Sequence, residues 1–160
     1  MPREKLVMHS LLKALAPDQV EALSAIATQV RFGPGESIFR QREVADGFYL
    51  IEKGEVNLEY ELPGKRRVQI QTIGPRELLG LSWVFEPYRW QFSATALTGV
   101  TANFFRAVDV REQCAQDPKL GSKLMEEIAR GLTERLHATR HKLLVFVERA
   151  SDSEDARQVC

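Results

Sequence analysis

The chain has 160 residues and a mass of 18.2 kDa, the size of one average domain, and it can bury on the order of two thirds of its unfolded surface in a single core. Hydrophobic residues make up 44% and charged residues 28%, globular proportions that exclude disorder, and no run approaches the roughly 18 apolar residues of a membrane span. Lys plus Arg (22) balance Asp plus Glu (22), so there is no general basic field of the kind that holds nucleic acid.

The opening Met1-Pro2-Arg3-Glu4-Lys5 leads into only Leu6-Val7-Met8 before polar residues resume, too short an apolar stretch for a signal peptide. Leu11, Leu12 and Leu15 then recur at helical spacing, and Pro17 opens a second helical run with Val20, Leu23, Ile26, Ala27 and Val30 on one face. The period changes after the turn Phe32-Gly33-Pro34-Gly35. Short apolar pieces follow at Ile38-Phe39 and Phe48-Tyr49-Leu50-Ile51. Val56, Leu58, Tyr60 and Leu62 alternate with Asn57, Glu59 and Glu61, which predicts a strand with one buried and one wet face. A loop at Pro63-Gly64-Lys65-Arg66 and renewed alternation at Val68 and Ile70 predict a hairpin. Its Lys65-Arg66-Arg67 tip reads as a solvated loop before it reads as a phosphate patch.

Residues 74–91 read as a loop holding one helical turn. Strands resume with Phe92, Ala94 and Ala96, turn at Thr98-Gly99, and continue with Val100, Ala102 and Phe104. From Ala107 the pattern is helical again. Asp117 as N-cap and Pro118 at the first position open a long helix to about Glu148, and residues 150–160 read as a flexible tail. The expected fold is α+β and mainly β: a jelly-roll-like β-roll at about 30–106, N-terminal helices, and a C-terminal helix at about 118–148, in one domain spanning 1–149. The two cysteines, Cys114 and Cys160, form neither a disulfide framework nor a CxxC site, which suits a reducing cytoplasm.

Within Val30–Leu62, Gly35-Glu36, Ile38-Phe39, Gln41, Asp46, Phe48-Tyr49-Leu50-Ile51 and Gly54-Glu55-Val56 stand in one order and spacing. Gly35 and Gly54 permit positive-φ turns, and Tyr49, Ile51 and Val56 supply core side chains. On these residues the chain closely resembles the first half of a cyclic-nucleotide-binding domain, and the resemblance extends less strictly over roughly residues 8–146. It implies a β-roll that binds cAMP or cGMP and passes the binding event to its C-terminal helix. In catabolite-activator-type regulators a helix-turn-helix follows that helix. The sequence leaves no room for one, so no DNA-binding domain is expected.

The resemblance implies a phosphate-binding cassette in which a glycine turn leads into a short helix whose N–H groups face the cyclic phosphate. Gly80-Leu81-Ser82-Trp83 fits that place. The family uses a Glu one position after this glycine for the ribose 2′-hydroxyl, and an Arg further on for the phosphate. Here the Glu position holds Leu81, while Trp90 and Gln91 stand at the Arg position and its polar neighbour, with Arg89 one residue early. A charge-assisted hydrogen bond contributes roughly 1.5–3 kcal/mol, so losing both partners weakens binding by about two decades or more. Trp83, Phe85, Tyr88, Trp90 and Phe92 either pack this loop onto the roll or stack on a purine.

From Lys119 to Arg149 a helix is about 45 Å long, more than one small domain covers. Leu120, Leu124, Ile128, Leu132 and Leu136 recur every four residues, and Leu143-Leu144-Val145-Phe146-Val147 is apolar all round, which predicts a homodimer through this helix. By the resemblance Thr139 stands where a threonine contacts the base. His137 and His141 have metal-compatible i, i+4 spacing but lack the Glu of HExxH, and residues 30–106 contain no histidine. A cupin-type metalloenzyme, the third reading, therefore stands behind two others. One is a non-catalytic cytoplasmic regulatory module, with no cofactor and cAMP or cGMP as candidate ligand. The other is a degenerate dimeric scaffold for an unknown protein partner.

Overall fold

The computed structural model describes residues 10–158; the opening weighed as a signal peptide, His9 and Cys160 lie outside them. Two short helices, α1 (Ser10–Lys13) and α2 (Pro17–Ile26), begin the described chain. Gln19 Oε1 accepts the Ala16 N–H at 3.0 Å, holding the start of α2. The helical periodicity extends to Val30, yet α2 ends at Ile26 because Ala27 turns to an extended conformation (φ −78°, ψ 136°). From there β1 (Ala27–Phe32) pairs along its whole length with β8 (Val100–Arg106), from Ala27↔Phe105 to Phe32↔Val100. A ladder of this length outweighs the weak helical preference of Thr28 and Val30.

The other strands are β2 (Ser37–Phe39), β3 (Gly47–Lys53), β4 (Val56–Glu61), β5 (Arg67–Ile73), β6 (Leu78–Leu79) and β7 (Ser93–Ala96). They form two four-stranded antiparallel sheets, ordered β1-β8-β3-β6 and β2-β7-β4-β5, the jelly-roll-like roll expected from the sequence. Between the sheets lie Ile51, Val56, Leu58, Ala94, Ala96 and Ala102, and on the opposite face of β3 and β8 lie Phe48 and Phe105, all fully buried. Phe48 stacks on Phe105 with ring centroids 4.9 Å apart. The β4–β5 hairpin runs from Val56↔Ile73 to Glu61↔Arg67, with a register shift after Leu58. Its predicted alternation holds for Val56 and Leu58, whereas Tyr60 is exposed. Gly54 has φ +89°, and a Cβ there would run into the Gly99 carbonyl, so the β3–β4 turn requires glycine.

Between β5 and β7 the expected helical turn does not form. After β6, residues 81–88 close as successive i→i+3 turns, Val84 N–H to Leu81 O (3.5 Å) and Tyr88 N–H to Phe85 O (2.9 Å), the second holding a cis Glu86–Pro87 bond. Trp83 draws the segment inward instead of letting it coil: it is buried and stacks on Phe48 at 5.4 Å.

Two helices follow the roll, α3 (Ala107–Gln116) and α4 (Pro118–Gln158). Asp117 joins them as the predicted N-cap. Its Oδ1 accepts the Lys119 N–H (3.2 Å) and the Leu120 N–H (3.4 Å), and its Oδ2 accepts Gln19 Nε2–H at 3.0 Å, tying α2 to the start of α4. The 41 residues of α4 span about 60 Å. The helix passes Glu148, where the sequence placed its end, and takes in residues 150–158, read above as a tail. Extending a nucleated helix adds a hydrogen bond for each residue fixed, so the polar run needs no packing face to join it. Leu120, Leu124 and Ile128 are buried. No helix among the described residues is long and apolar enough to cross a membrane.

The Gln19 side-chain hydrogen bond, with those of the Leu120 and Lys119 N–H groups, holds the Asp117 carboxyl below its ordinary value of 3.8. A depressed folded pKa contributes stability above the unfolded pKa, and that contribution is lost as pH falls through the folded value. Asp117→Asn keeps a capping side chain without the charge. Urea unfolding of the two proteins is therefore expected to differ at neutral pH and to converge below pH 3.8.

Candidate functional site

The segment from Gly80 to Phe92 covers one mouth of the roll, and α4 passes across it. Gly80 has φ +106°, and a Cβ there would stand 3.1 Å from the Trp90 ring and 3.3 Å from the Gly47 carbonyl oxygen. The next residue, Leu81, is buried against the helix: its methyl carbons lie 3.3 and 3.5 Å from where a Cβ on Gly131 would stand. Ser82 Oγ accepts the Gln91 N–H at 3.3 Å, which closes the segment on itself. Backbone bonds tie its far end to the β2–β3 connection: Arg42 N–H to Trp90 O (2.8 Å), Trp90 N–H to Glu43 O (2.9 Å) and Ala45 N–H to Tyr88 O (2.8 Å).

The sequence-predicted residues divide into three places. Leu81, Ser82, Arg89 and Gln91 line one groove of about 240 Å³, together with Phe85, Phe92, Leu132 and Arg135. Arg89 is exposed and donates from Nη1 to the Arg42 carbonyl at 3.4 Å. Gln91 Nε2–H donates to the Arg89 carbonyl at 3.2 Å. Trp83 and Trp90 belong to the interior. Arg111 holds Trp83 by donating from Nη2 to its carbonyl at 2.6 Å, and the Arg111 guanidinium lies 5.9 Å from the indole centroid. Trp90 stacks on Phe39 with centroids 3.8 Å apart and planes at 10°. Beside Gly80 this pair leaves a cavity of only about 10 Å³, lined also by Leu58, Phe92 and Arg135, room for about one water.

Thr139 lies elsewhere. Its hydroxyl donates to the Arg135 carbonyl one turn back at 2.8 Å. It lines a second groove of about 410 Å³, walled by Tyr60, Leu62, Val68 and Ile70 of the hairpin and by Leu143 and Phe146 of α4. Phe92 is common to both grooves.

Arg135 is the site residue that the sequence reading passed over. It is half-buried on α4 and borders the small cavity, the 240 Å³ groove and a 300 Å³ cavity on the far side of the helix. Its Nε donates to Gln71 Oε1 at 3.2 Å, and the guanidinium lies over the Phe92 ring at 5.1 Å. Burial pulls its pKa down to about 10, so it remains charged at neutral pH. Among the described residues no carboxylate lies within ion-pair distance of it, and the charge of the adjacent Glu134 favours its protonated form. A signal for it exists in the sequence: from Leu124 and Ile128 the inward face of a 3.6-residue helix continues through Gly131 to position 135, where an Arg interrupts an apolar stripe.

Residues 29–117 match the family model described as the cyclic nucleotide-binding domain. The chain is 27% identical over 147 residues to a CRP-like cAMP-activated global transcriptional regulator of Mycobacterium tuberculosis, covering 91% of this chain and 64% of that protein. It is 37% identical over 98 residues to the transcriptional activatory protein AadR of Rhodopseudomonas palustris, covering 61% of this chain and 40% of that one. Among solved structures, the N-terminal domain of a transcriptional regulator from Streptomyces coelicolor superposes with a TM-score of 0.67 at 27% identity, over 84% of this chain and 94% of that one. The chain thus spans less than two thirds of the length of either curated relative.

Removing the Trp90 ring takes away the packing that fills the roll beneath Gly80. Trp90→Ala is expected to destabilise the protein by about 3–5 kcal/mol, measured by urea denaturation.

Proposed function

Because the chain belongs to the cyclic nucleotide-binding domain family, we propose that it is a non-catalytic regulatory module. In this reading a small ligand at the 80–92 segment is reported through α4. The observation that carries it is the direct packing of Leu81 on Gly131, which couples movement of the segment at Leu81 to the helix. Support for a regulatory role comes from the relatives, whose names describe transcriptional regulators. A cytoplasmic setting accords with that role. For a cyclic nucleotide the phosphate would rest on the N–H groups around Gly80–Trp83 with Arg89 supplying charge. The cassette is altered there, since a buried Leu81 offers nothing to a ribose hydroxyl.

Calorimetric titration with cAMP and cGMP is expected to give binding in the millimolar range. Arg89→Ala should weaken it further by roughly 1.5–3 kcal/mol. Unchanged binding in that variant would mean that the phosphate is held elsewhere. The stack of Trp90 on Phe39 favours a second reading, a nucleotide-free interaction scaffold for a protein partner, because it fills the roll interior. Absence of heat at millimolar nucleotide supports that scaffold.

The proposal includes a homodimer. Leu132, Leu136, Leu143 and Phe146 project from α4 with exposures of 40–62%, and with Thr139 they follow the alternating four- and three-residue spacing of a two-helix seam. Sedimentation at tens of micromolar is expected to show a dimer. Changing Leu132, Leu136 and Leu143 to Lys should yield a folded monomer.

A further inference from the structure

Arg135 carries a half-buried positive charge that its protein neighbours hydrogen-bond only through Nε. Its terminal nitrogens have no protein partner among the described residues. Arg135 borders the 240 Å³ groove, and its guanidinium lies over Phe92, which lines that groove and not the larger cavity across the helix. Of the two other charged residues lining the groove, Arg89 adds a second exposed cation and Glu86 is the lone carboxylate, itself exposed. The remaining wall is mostly apolar, formed by Leu81, Phe85, Pro87, Phe92 and Leu132 with the neutral polar Ser82 and Gln91.

Three features narrow the occupant. The volume falls below the roughly 300–1,000 Å³ of sites for drug-sized ligands, and the roll behind it is closed by Trp90, so the occupant is small. The 81–88 turns provide no helix N-terminus, the usual device for a phosphate. A guanidinium with terminal N–H groups free matches the planar, singly charged carboxylate in a bidentate pair. We propose that the groove between the 82–92 segment and α4 binds a small carboxylate with an apolar body, its carboxylate on Arg135 and its body against Leu81, Phe85, Phe92 and Leu132. This deepens the regulatory reading and rests on it, since the same segment and helix form the site.

The test is calorimetry on the full chain with hexanoate, alongside hexan-1-ol, acetate and inorganic phosphate. Hexanoate is expected to bind at low-millimolar concentration, and the other three much more weakly. Arg135→Gln should weaken hexanoate by about tenfold or more. Phe85→Ala, at an exposed position that cannot threaten the fold, should weaken hexanoate without affecting acetate. No hexanoate binding, equal binding of hexan-1-ol or phosphate, or wild-type binding in both variants would each overturn the proposal. The two readings fail separately. If cAMP binds and hexanoate does not, the carboxylate site falls and the sensor reading stands. If hexanoate binds through Arg135 while amide exchange along α4 stays unchanged, the site stands and the regulatory reading falls.

Discussion

The level at which α4 crosses the roll is set by one contact, Leu81 against the bare backbone face of Gly131. A helix gives up about 1 kcal/mol for a glycine in its interior relative to alanine, and here it gains a close approach of Leu81, whose methyl end a side chain at 131 would have to push aside. The contact continues the buried row of Leu120, Leu124 and Ile128, and past it the helix meets the roll through Arg135, which reaches Gln71 and Phe92. Beyond it, Arg135 is the next residue on the inward face, and the outer row of leucines is left to solvent. The 240 Å³ groove, its apolar wall and its cation are all consequences of where that crossing falls.

The interior beneath the crossing is already occupied. Tyr49, Phe39 and Trp90 form a continuous aromatic run, with Phe39 6.3 Å from Tyr49 and 3.8 Å from Trp90. Stacked rings fill such a space with favourable geometry and little conformational freedom. Trp90 is also fixed through its backbone, donating to Glu43 and accepting from Arg42. Opening the interior to a ligand would break ring packing and sheet-like pairing together, whereas the groove outside it is open without rearrangement.

Charge follows the same geometry. Desolvating a guanidinium is costly unless hydrogen bonds or an opposite charge compensate. Gln71 and the face of Phe92 compensate Arg135 in part. An anion in the groove would complete the compensation, and the energy it returned would be felt on α4, where Arg135 is anchored.

Much of this architecture was legible in the residues because its causes are local. The two-residue alternation of 56–62 and 67–71 marks a half-buried hairpin wherever it occurs, and Asp117-Pro118 starts a helix through its own capping chemistry. The glycine and apolar pattern from Val30 to Leu62 carried the family resemblance and the roll for the same reason. Other features depend on neighbours distant in sequence. The helical period of 27–30 gave way to pairing with β8, and the expected turn of helix after Gly80 gave way to Trp83 packing on Phe48. Trp90 stands among the candidate ligand residues in the sequence, and only the approach of Phe39 takes it into the interior. The stripe of α4 is the clearest case. Steps of four residues drift by about 40° each around a 3.6-residue helix, so Leu132 and Leu136 rotate off the face begun by Leu120, and Gly131 and Arg135 replace them. The sequence by itself determined that the helix has an apolar face and where it starts. Which residues end up inside was decided by the position of the roll, because burial belongs to the pair of surfaces and not to either one alone.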